Sequence, residues 1–133
     1  MSVGGATTWS TGEVAGKCGL SEHTLRWYER IGLLNRVERG PDGRRRFSAG
    51  DLDWIVLVTR LRATGMSVKD MQRYAELVRT GGGEQERLDL LSEHRHRVRA
   101  ALVEQQECLH MLDAKIRTYR RMLHPATKEK ADA

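Results

Sequence analysis

Arginine side chains concentrate in one short stretch of this 133-residue chain. The window from Arg26 to Arg46 holds seven arginines against three acidic residues, a surplus of +4, while the whole chain has a formal net charge of +5. A guanidinium group pairs bidentately with phosphate oxygens and with the edge of guanine. The window therefore predicts a surface that binds double-stranded DNA. A solvated, charged surface hairpin is the other interpretation of the same residues.

Two cysteines and five histidines are the remaining side chains with reactive or metal-binding chemistry. Cys18 falls on the apolar side of a short predicted helix, where a thiol is typically a small core residue. Cys108 flanks a heptad seam and is the candidate thiol sensor. The pairs His94 with His96 and Cys108 with His110 are two residues apart, which points the side chains of each pair to different sides of a helix. We therefore predict no metal site and no cofactor.

Two capped helices must position the first arginines of the window. Ser10 and Glu13 form a capping box, and Gly19 ends the helix that they begin. Ser21 caps a second helix, which runs to a left-handed Gly32. Two short helices joined by about three residues form a helix-turn-helix.

A hairpin and two more helices complete the predicted head. Pro41-Asp42-Gly43 is a turn sequence, and we predict a two-stranded hairpin around it with Val37 and Phe47 facing inward. Ser48 and Ser67 each stand three residues before an aspartate and predict the starts of a third and a fourth helix. The fourth helix should end before the three consecutive glycines that follow.

The C-terminal part of the chain has an uninterrupted heptad pattern. Nine of the eleven positions spaced 3, 4, 3, 4 from Leu88 to Leu123 are apolar or aromatic, and Arg95 and Gln105 are the other two. At 1.5 Å per residue this helix would be roughly 50 Å long, more than a head of this size can cover. We therefore predict a homodimer through a coiled coil. The predicted dimerisation residues are Leu88, Leu91, Val98, Leu102, Leu109, Leu112, Ile116 and Tyr119.

Composition excludes several classes of protein and favours a mainly α fold. Only two prolines interrupt the chain, no apolar run reaches the ~18 residues of a membrane helix, and no secretion signal is recognisable, so we expect a cytoplasmic protein. The chain has no glycine-rich phosphate loop and no readable catalytic triad, so no enzyme is predicted. The predicted segments are a flexible N-terminus (1–9), a winged helix-turn-helix DNA-binding domain (10–80), a glycine-rich linker (81–84), a coiled-coil dimerisation helix (85–124) and a flexible tail (125–133).

Several motifs follow one another in the head. They are GEVA at 12–15, GLS at 19–21, TLRWYE at 24–29, IGLL at 31–34, GRRRFS at 43–48 and TGMS at 64–67. Their types and spacing resemble the N-terminal domain of the MerR family of bacterial transcription regulators. The resemblance implies a winged helix-turn-helix head and a dimer through an antiparallel coiled coil. It also implies a pseudo-palindromic promoter operator, which the dimer bends and untwists so that RNA polymerase can engage both promoter elements.

The resemblance implies roles for single residues of the second helix, which is the recognition helix of the family. Arg26 and Tyr28 match its Arg-x-Tyr, which meets bases and backbone. Ser21, His23 and Thr24 lie at the start of this helix, facing the groove of the DNA, and are expected to contact bases or phosphates.

The resemblance extends to the wing. Arg45 matches a recurrent arginine that follows an aromatic residue in the family. Arg44 stands where that aromatic would be and is expected to add a phosphate contact instead. Arg36 on the opposing strand is a further expected backbone contact, and Lys69 at the start of the fourth helix marks a second phosphate site.

The effector is the least defined part of the prediction. Metal-sensing members of the family rely on cysteines near the start of the dimerisation helix and in a loop after it, and thiol-responsive members carry one in the third helix; this sequence has none there. The chain stops almost where the coil stops, so we expect no large ligand-binding domain. The prediction is a dimeric MerR-like transcription factor; the alternative is an effector-independent architectural or partner-recruiting DNA-binding protein.

Overall fold

The computed structural model describes residues 7–35 and 37–125. Its elements are the helices α1 (Thr11–Cys18) and α2 (Glu22–Arg30), the strands β1 (Glu38–Arg39) and β2 (Arg45–Arg46), and the helices α3 (Ala49–Ala63), α4 (Val68–Thr80) and α5 (Glu84–Leu123). The chain divides into two compact units, Met1–Leu91 and Ser92–Ala133. The predicted fold class, mainly α with a two-stranded wing and a long C-terminal helix, is confirmed.

Serine caps begin the first four helices, as their spacing predicts. The hydroxyl of Ser10 accepts the backbone N–H of Glu13, and Glu13 Oε1 accepts the N–H of Ser10 at 2.9 Å. This second hydrogen bond lowers the pKa of Glu13, because it stabilises the ionised carboxylate. Ser21, Ser48 and Ser67 accept the N–H of the third following residue in the same way. The helix starts therefore depend on contacts local in the sequence.

The wing is a short antiparallel hairpin. Its register pairs Glu38 with Arg46 and Arg39 with Arg45, and a Gly43 N–H that donates to the Gly40 carbonyl closes the turn at 2.9 Å. Phe47, directly after β2, exchanges two backbone hydrogen bonds of 2.9 and 2.8 Å with Trp9. Paired structure thus begins one residue before the predicted boundary at 10. Residues 1–6 of the predicted N-terminal tail lie outside the described residues.

The hydrophobic core of the first unit packs against the buried side of α2 and connects this helix to the wing. α1 packs on α2 and α3, and α3 packs on α4. The indole N–H of Trp54 donates to the Leu33 carbonyl at 2.7 Å, and its ring stacks on Tyr74 with centroids 5.7 Å apart. Each large apolar side chain buried here contributes roughly 1.5–3 kcal/mol. The largest fully buried side chains are Val14, Leu25, Tyr28, Leu33, Phe47, Ile55, Val58 and Met71.

The first turns of α5 belong to the first unit. Arg73 on α4 donates to both carboxylate oxygens of Glu86, at 2.7 and 2.8 Å, and these hydrogen bonds lower the pKa of Glu86. Leu91 packs against the core of the same unit. The heptad spacing predicts Leu91 in the dimerisation seam. In the single chain its side chain is only partly buried, so its place in the seam stays a prediction.

The second unit contains the rest of α5, which ends at Leu123, one residue before the predicted boundary. Its seam side chains are largely exposed in the single chain: Leu102 60%, Leu109 49%, Leu112 53%, Ile116 45% and Tyr119 59%. Val98 is half-buried, and Leu88, in the first unit, is exposed. Dimerisation through these residues stays a prediction. Residues 126–133 of the predicted tail lie outside the described residues.

Candidate nucleic-acid interface

Helix α2 has one buried side and one polar side exposed to solvent. Leu25 and Tyr28 form the buried side. The exposed side chains are Glu22, His23, Arg26 and Arg30. Arg26 Nη1 lies 3.9 Å from Glu22 Oε1, and both side chains are about half exposed. Such an exposed ion pair contributes little to the stability of the fold. The guanidinium of Arg26 is therefore available to an external ligand.

The start of α2 is organised by its own cap. The Ser21 hydroxyl accepts the Thr24 N–H at 3.0 Å and lies 2.9 Å from the Thr24 hydroxyl. Thr24 is half-buried, whereas His23 is exposed. Among the three residues predicted at this helix start, His23 is the one whose side chain points outward without a partner in the described chain. Ser21 and Thr24 shape the helix end, where backbone N–H groups favour an anion.

Tyr28 does not lie on the predicted DNA surface. Its side chain is completely buried, and its hydroxyl lies 3.4 Å from the hydroxyl of Thr59 on α3. A side chain with no exposed area cannot reach a base or a phosphate from this position, so the predicted contact is wrong here. The helical period explains the error: Arg26 and Tyr28 are two residues apart and point to nearly opposite sides of α2.

The wing presents arginines on its outer surface. Arg44 is exposed, and its guanidinium has no ion pair within residues 7–35 and 37–125. The backbone N–H of Arg44 donates to Asp42 Oδ1 at 3.0 Å, and this bond lowers the pKa of Asp42. Arg46 Nη2 lies 3.6 Å from Asp42, and Arg39 donates to the Gly43 carbonyl at 2.7 Å. The exposed guanidinium of Arg44, which has no ion pair among the described residues, therefore fits the predicted phosphate contact.

The side chain of Arg45 points toward α2 and not outward to solvent like that of Arg44. Its Nε and Nη2 lie 2.9 and 2.7 Å from Oε1 of Glu29, and both side chains are 25% exposed. The side-chain alternation of a strand places Arg45 on the face of Phe47, which is buried. The guanidinium of Arg45 is thus paired with a carboxylate of the same chain. The sequence predicted a direct DNA contact for Arg45 and did not predict this ion pair.

The wing and the helix-turn-helix border one open groove of about 390 Å³. This groove contains the start of α1, the start of α2 and the outer wing. Its lining residues are Ser10, Thr11, Gly12, Glu22, Arg39, Gly43, Arg44 and Arg45. Three arginines and two helix starts at one groove attract an anion, and its open form fits an extended phosphate backbone better than a small enclosed ligand.

The remaining predicted DNA residues lie elsewhere. Lys69 is exposed in the first turn of α4, whose cap Ser67 accepts the Asp70 N–H at 3.1 Å. This helix start has the features of a phosphate site. Arg36, predicted on the strand opposite Arg44, lies outside the described residues.

Comparison with known proteins decides the family. Residues 9–77 match the model of the MerR HTH family regulatory proteins. An HTH-type transcriptional regulator of Haemophilus influenzae is 38% identical over 115 residues, which is 86% of this chain and 85% of that protein. The chain belongs to the MerR family. The resemblance of its head motifs to this family is thereby confirmed.

Two solved structures of MerR-family proteins are similar to this regulator over most of its length. HiNmlR, a MerR family regulator lacking the sensor domain and crystallised bound to promoter DNA, is 38% identical with a TM-score of 0.80, over 86% of this chain and 92% of that one. A structure described as a MerR family transcriptional regulator from Listeria monocytogenes is 37% identical with a TM-score of 0.79, over 93% and 95%. The protein is a MerR-family DNA-binding transcriptional regulator, and the relatives it matches are regulators and not enzymes.

Some contacts of the MerR-family head have no clear signal in the sequence. Arg62 on α3 lies 4.8 Å from the ring centroid of Trp27, a cation–π contact that holds the back of α2. Glu29 meets Arg45 across sixteen residues that include the hairpin turn. Arg30 extends the exposed face of α2 by one turn beyond Arg26, and only the helical period could have indicated it.

The thiols occupy different environments in this MerR-family chain. Cys18 is half-buried, and burial raises the pKa of its thiol. Cys108 is exposed on α5. In the part of the chain that the structure describes, no cluster of three or more His, Cys, Asp and Glu side chains could hold a metal ion. Within the same residues, no helix has the length and apolarity to cross a membrane.

Proposed function

We propose that this MerR-family regulator binds promoter DNA as a homodimer, with one head on each half-site of a pseudo-palindromic operator. The observation that carries this proposal is the shared groove, which Glu22 at the start of α2 and Arg44 on the wing both line. A recognition helix can therefore enter the major groove while the wing rests on the neighbouring backbone. Residues 10–80 form the DNA-binding part.

The contacts divide by chemistry. His23 and Arg26, both exposed on α2, are the candidates for base edges, with Ser21 and Thr24 beside them. Arg44 and Lys69 are the candidates for phosphate contacts, as is Arg36 by its place in the sequence. Base contacts give sequence preference, while phosphate contacts position the head and make binding depend on salt.

The homodimer forms through residues 85–124. Support comes from the seam of α5, where five apolar or aromatic side chains between Leu102 and Tyr119 are 45–60% exposed in the single chain. Pairing these residues with a second copy removes apolar surface from water, which stabilises association. The coil is antiparallel, as the family resemblance implies. Mass action then makes operator affinity depend on protein concentration.

Regulation occurs through the shape of the promoter. A dimer with two heads at a set separation deforms the DNA between the half-sites, and the contacts of both heads offset that cost. The altered promoter is then engaged by RNA polymerase in the cytoplasm. HiNmlR, which resembles this chain over most of its length, was crystallised bound to promoter DNA, and this supports a promoter as the target.

A footprint of the purified protein on the DNA upstream of its own coding sequence tests the proposal. We expect two protected half-sites related by a pseudo-twofold axis, and a migration anomaly in a circular-permutation gel that reports the bend. Substituting bases in one half-site should weaken binding by about 1–3 kcal/mol per pair. Equal competition by unrelated DNA, with no protected site, would instead identify a non-specific DNA-binding protein.

A further inference from the structure

We propose that Glu29 is a positioning residue for DNA binding: it holds the wing against the recognition helix through Arg45. The inference rests on the proposed function, because it concerns how the same DNA surface is assembled. Glu29 lies in the last turns of α2, and Arg45 is the first residue of β2. An acidic residue beside a DNA-binding surface would ordinarily repel the phosphates. A contact within the protein accounts for Glu29 at this position.

The geometry distinguishes this ion pair from its neighbours. Two nitrogens of Arg45 converge on Glu29 Oε1 at 2.9 and 2.7 Å, and each side chain is 25% exposed. The pairs Arg26 with Glu22 and Arg46 with Asp42 are longer, at 3.9 and 3.6 Å, and between 42 and 53% exposed. A short ion pair that is partly shielded from water interacts more strongly than a longer, more exposed one.

The surroundings of the pair tie it to the core. Glu29 and Arg45 line a narrow crevice together with the buried side chains of Leu25, Leu34 and Phe47. Each strand of the wing is only two residues long, and such a hairpin is marginally stable by itself. The Trp9–Phe47 backbone pairing anchors the wing directly after β2, and the Glu29–Arg45 pair anchors β2 itself to α2.

The two roles open to Arg45 predict different effects. If Arg45 binds phosphate, removing Glu29 frees its charge, and DNA affinity and the salt dependence of binding both rise. If Glu29 positions the wing, removing it loosens the wing, and affinity falls although the protein has lost a negative charge. The sign of the change in affinity therefore decides between an electrostatic role and a positioning role.

The test is the operator affinity of the full-length variants Glu29→Ala and Glu29→Gln over a series of salt concentrations, with folding checked by circular dichroism. We expect both to bind operator DNA at least about threefold more weakly than the wild type at equal salt. Glu38→Gln is the matched control, since it removes an exposed acid from the same wing. Loss of this charge should leave affinity unchanged or raise it. Glu29→Gln keeps the size of the side chain, so it tests the proposal even if Glu29→Ala does not fold.

Arg45→Ala and Arg44→Ala provide a second measurement. Arg44→Ala should reduce the slope of log affinity against log salt by about one, as the loss of one phosphate contact does. Arg45→Ala should weaken binding to the extent that Glu29→Ala does, with an unchanged slope. The double variant that combines Glu29→Ala with Arg45→Ala should bind no more weakly than either single variant. Glu29 variants that bind as tightly as Glu38→Gln would overturn the positioning role. Failure of the wild type itself to bind a specific site would count against the proposed function instead.

Discussion

Arg26 and Arg45 have the same charge but are placed differently. Arg26 lies on the exposed side of α2 with a long contact to Glu22. In contrast, Arg45 Nε donates to Glu29 Oε1, and Arg45 Nη2 lies 2.7 Å from the same oxygen. An arginine without a strong internal partner can give its planar donor set to a base or a phosphate. Arg26 is therefore the residue at which a direct contact should be tested first.

Arg26→Ala should weaken operator binding by about 1–3 kcal/mol and relax the preference at one base pair of each half-site, because a bidentate contact to a base edge is lost. Competition gel shifts with each base substituted in turn measure both effects. Arg79→Ala, which removes an exposed arginine from the last turn of α4, is the control and should change neither. Equal weakening on every sequence would identify Arg26 as a backbone contact.

Gly16 lies inside helix α1, and Gly19 follows its last residue, Cys18; the two glycines differ in backbone conformation. A Cβ atom added at Gly16 or at Gly19 would meet no other part of the structure within 4 Å. Gly16 lies inside the helix, where glycine costs conformational entropy, whereas Gly19 ends the helix with φ +68°. The first glycine therefore weakens the element, and the second is required by it.

Gly16→Ala should raise the free energy of unfolding by about 0.5–1 kcal/mol, since alanine favours the helix and restricts the unfolded chain. Gly19→Ala should lower it by about 1 kcal/mol or more, because an alanine at positive φ is strained. Urea denaturation at one fixed protein concentration compares the two variants. Changes of the same sign would show that the C-cap does not determine where α1 ends.

At the scale of the whole molecule, the proposed homodimer depends on the exposed seam of α5. Leu102 and Val103 are adjacent and each 60% exposed in the single chain. Only Leu102 falls on a seam position of the heptad, while Val103, one residue later, falls outside the seam. The two residues thus separate the effect of the seam from the effect of general hydrophobicity.

Leu102→Glu should convert the dimer to a monomer at micromolar concentration, because it places two like charges into the apolar seam. Val103→Glu, with the same change of chemistry, should remain dimeric. Sedimentation equilibrium of the two variants and the wild type makes the comparison. A wild type that sediments as a monomer, or equal dissociation of both variants, would contradict dimerisation through this seam.

The sequence by itself predicted the features that depend on neighbouring residues. Ser10, Ser21, Ser48 and Ser67 cap helices through hydrogen bonds that span three residues, and the turn of the wing follows from its proline and glycines. The order of the head motifs identified the family for the same reason, since every motif is short and local.

Tertiary structure alone decided which side chains the head leaves available to DNA. Tyr28 is in the core and Arg45 is paired with Glu29, although the spacing of each fits an exposed role. In the same way, Leu91 fits the heptad seam by its spacing but packs against the core of its own unit. Local patterns determine on which side of an element a residue lies. They do not determine what is packed against that side, because burial and ion pairing result from contacts between segments far apart in the chain.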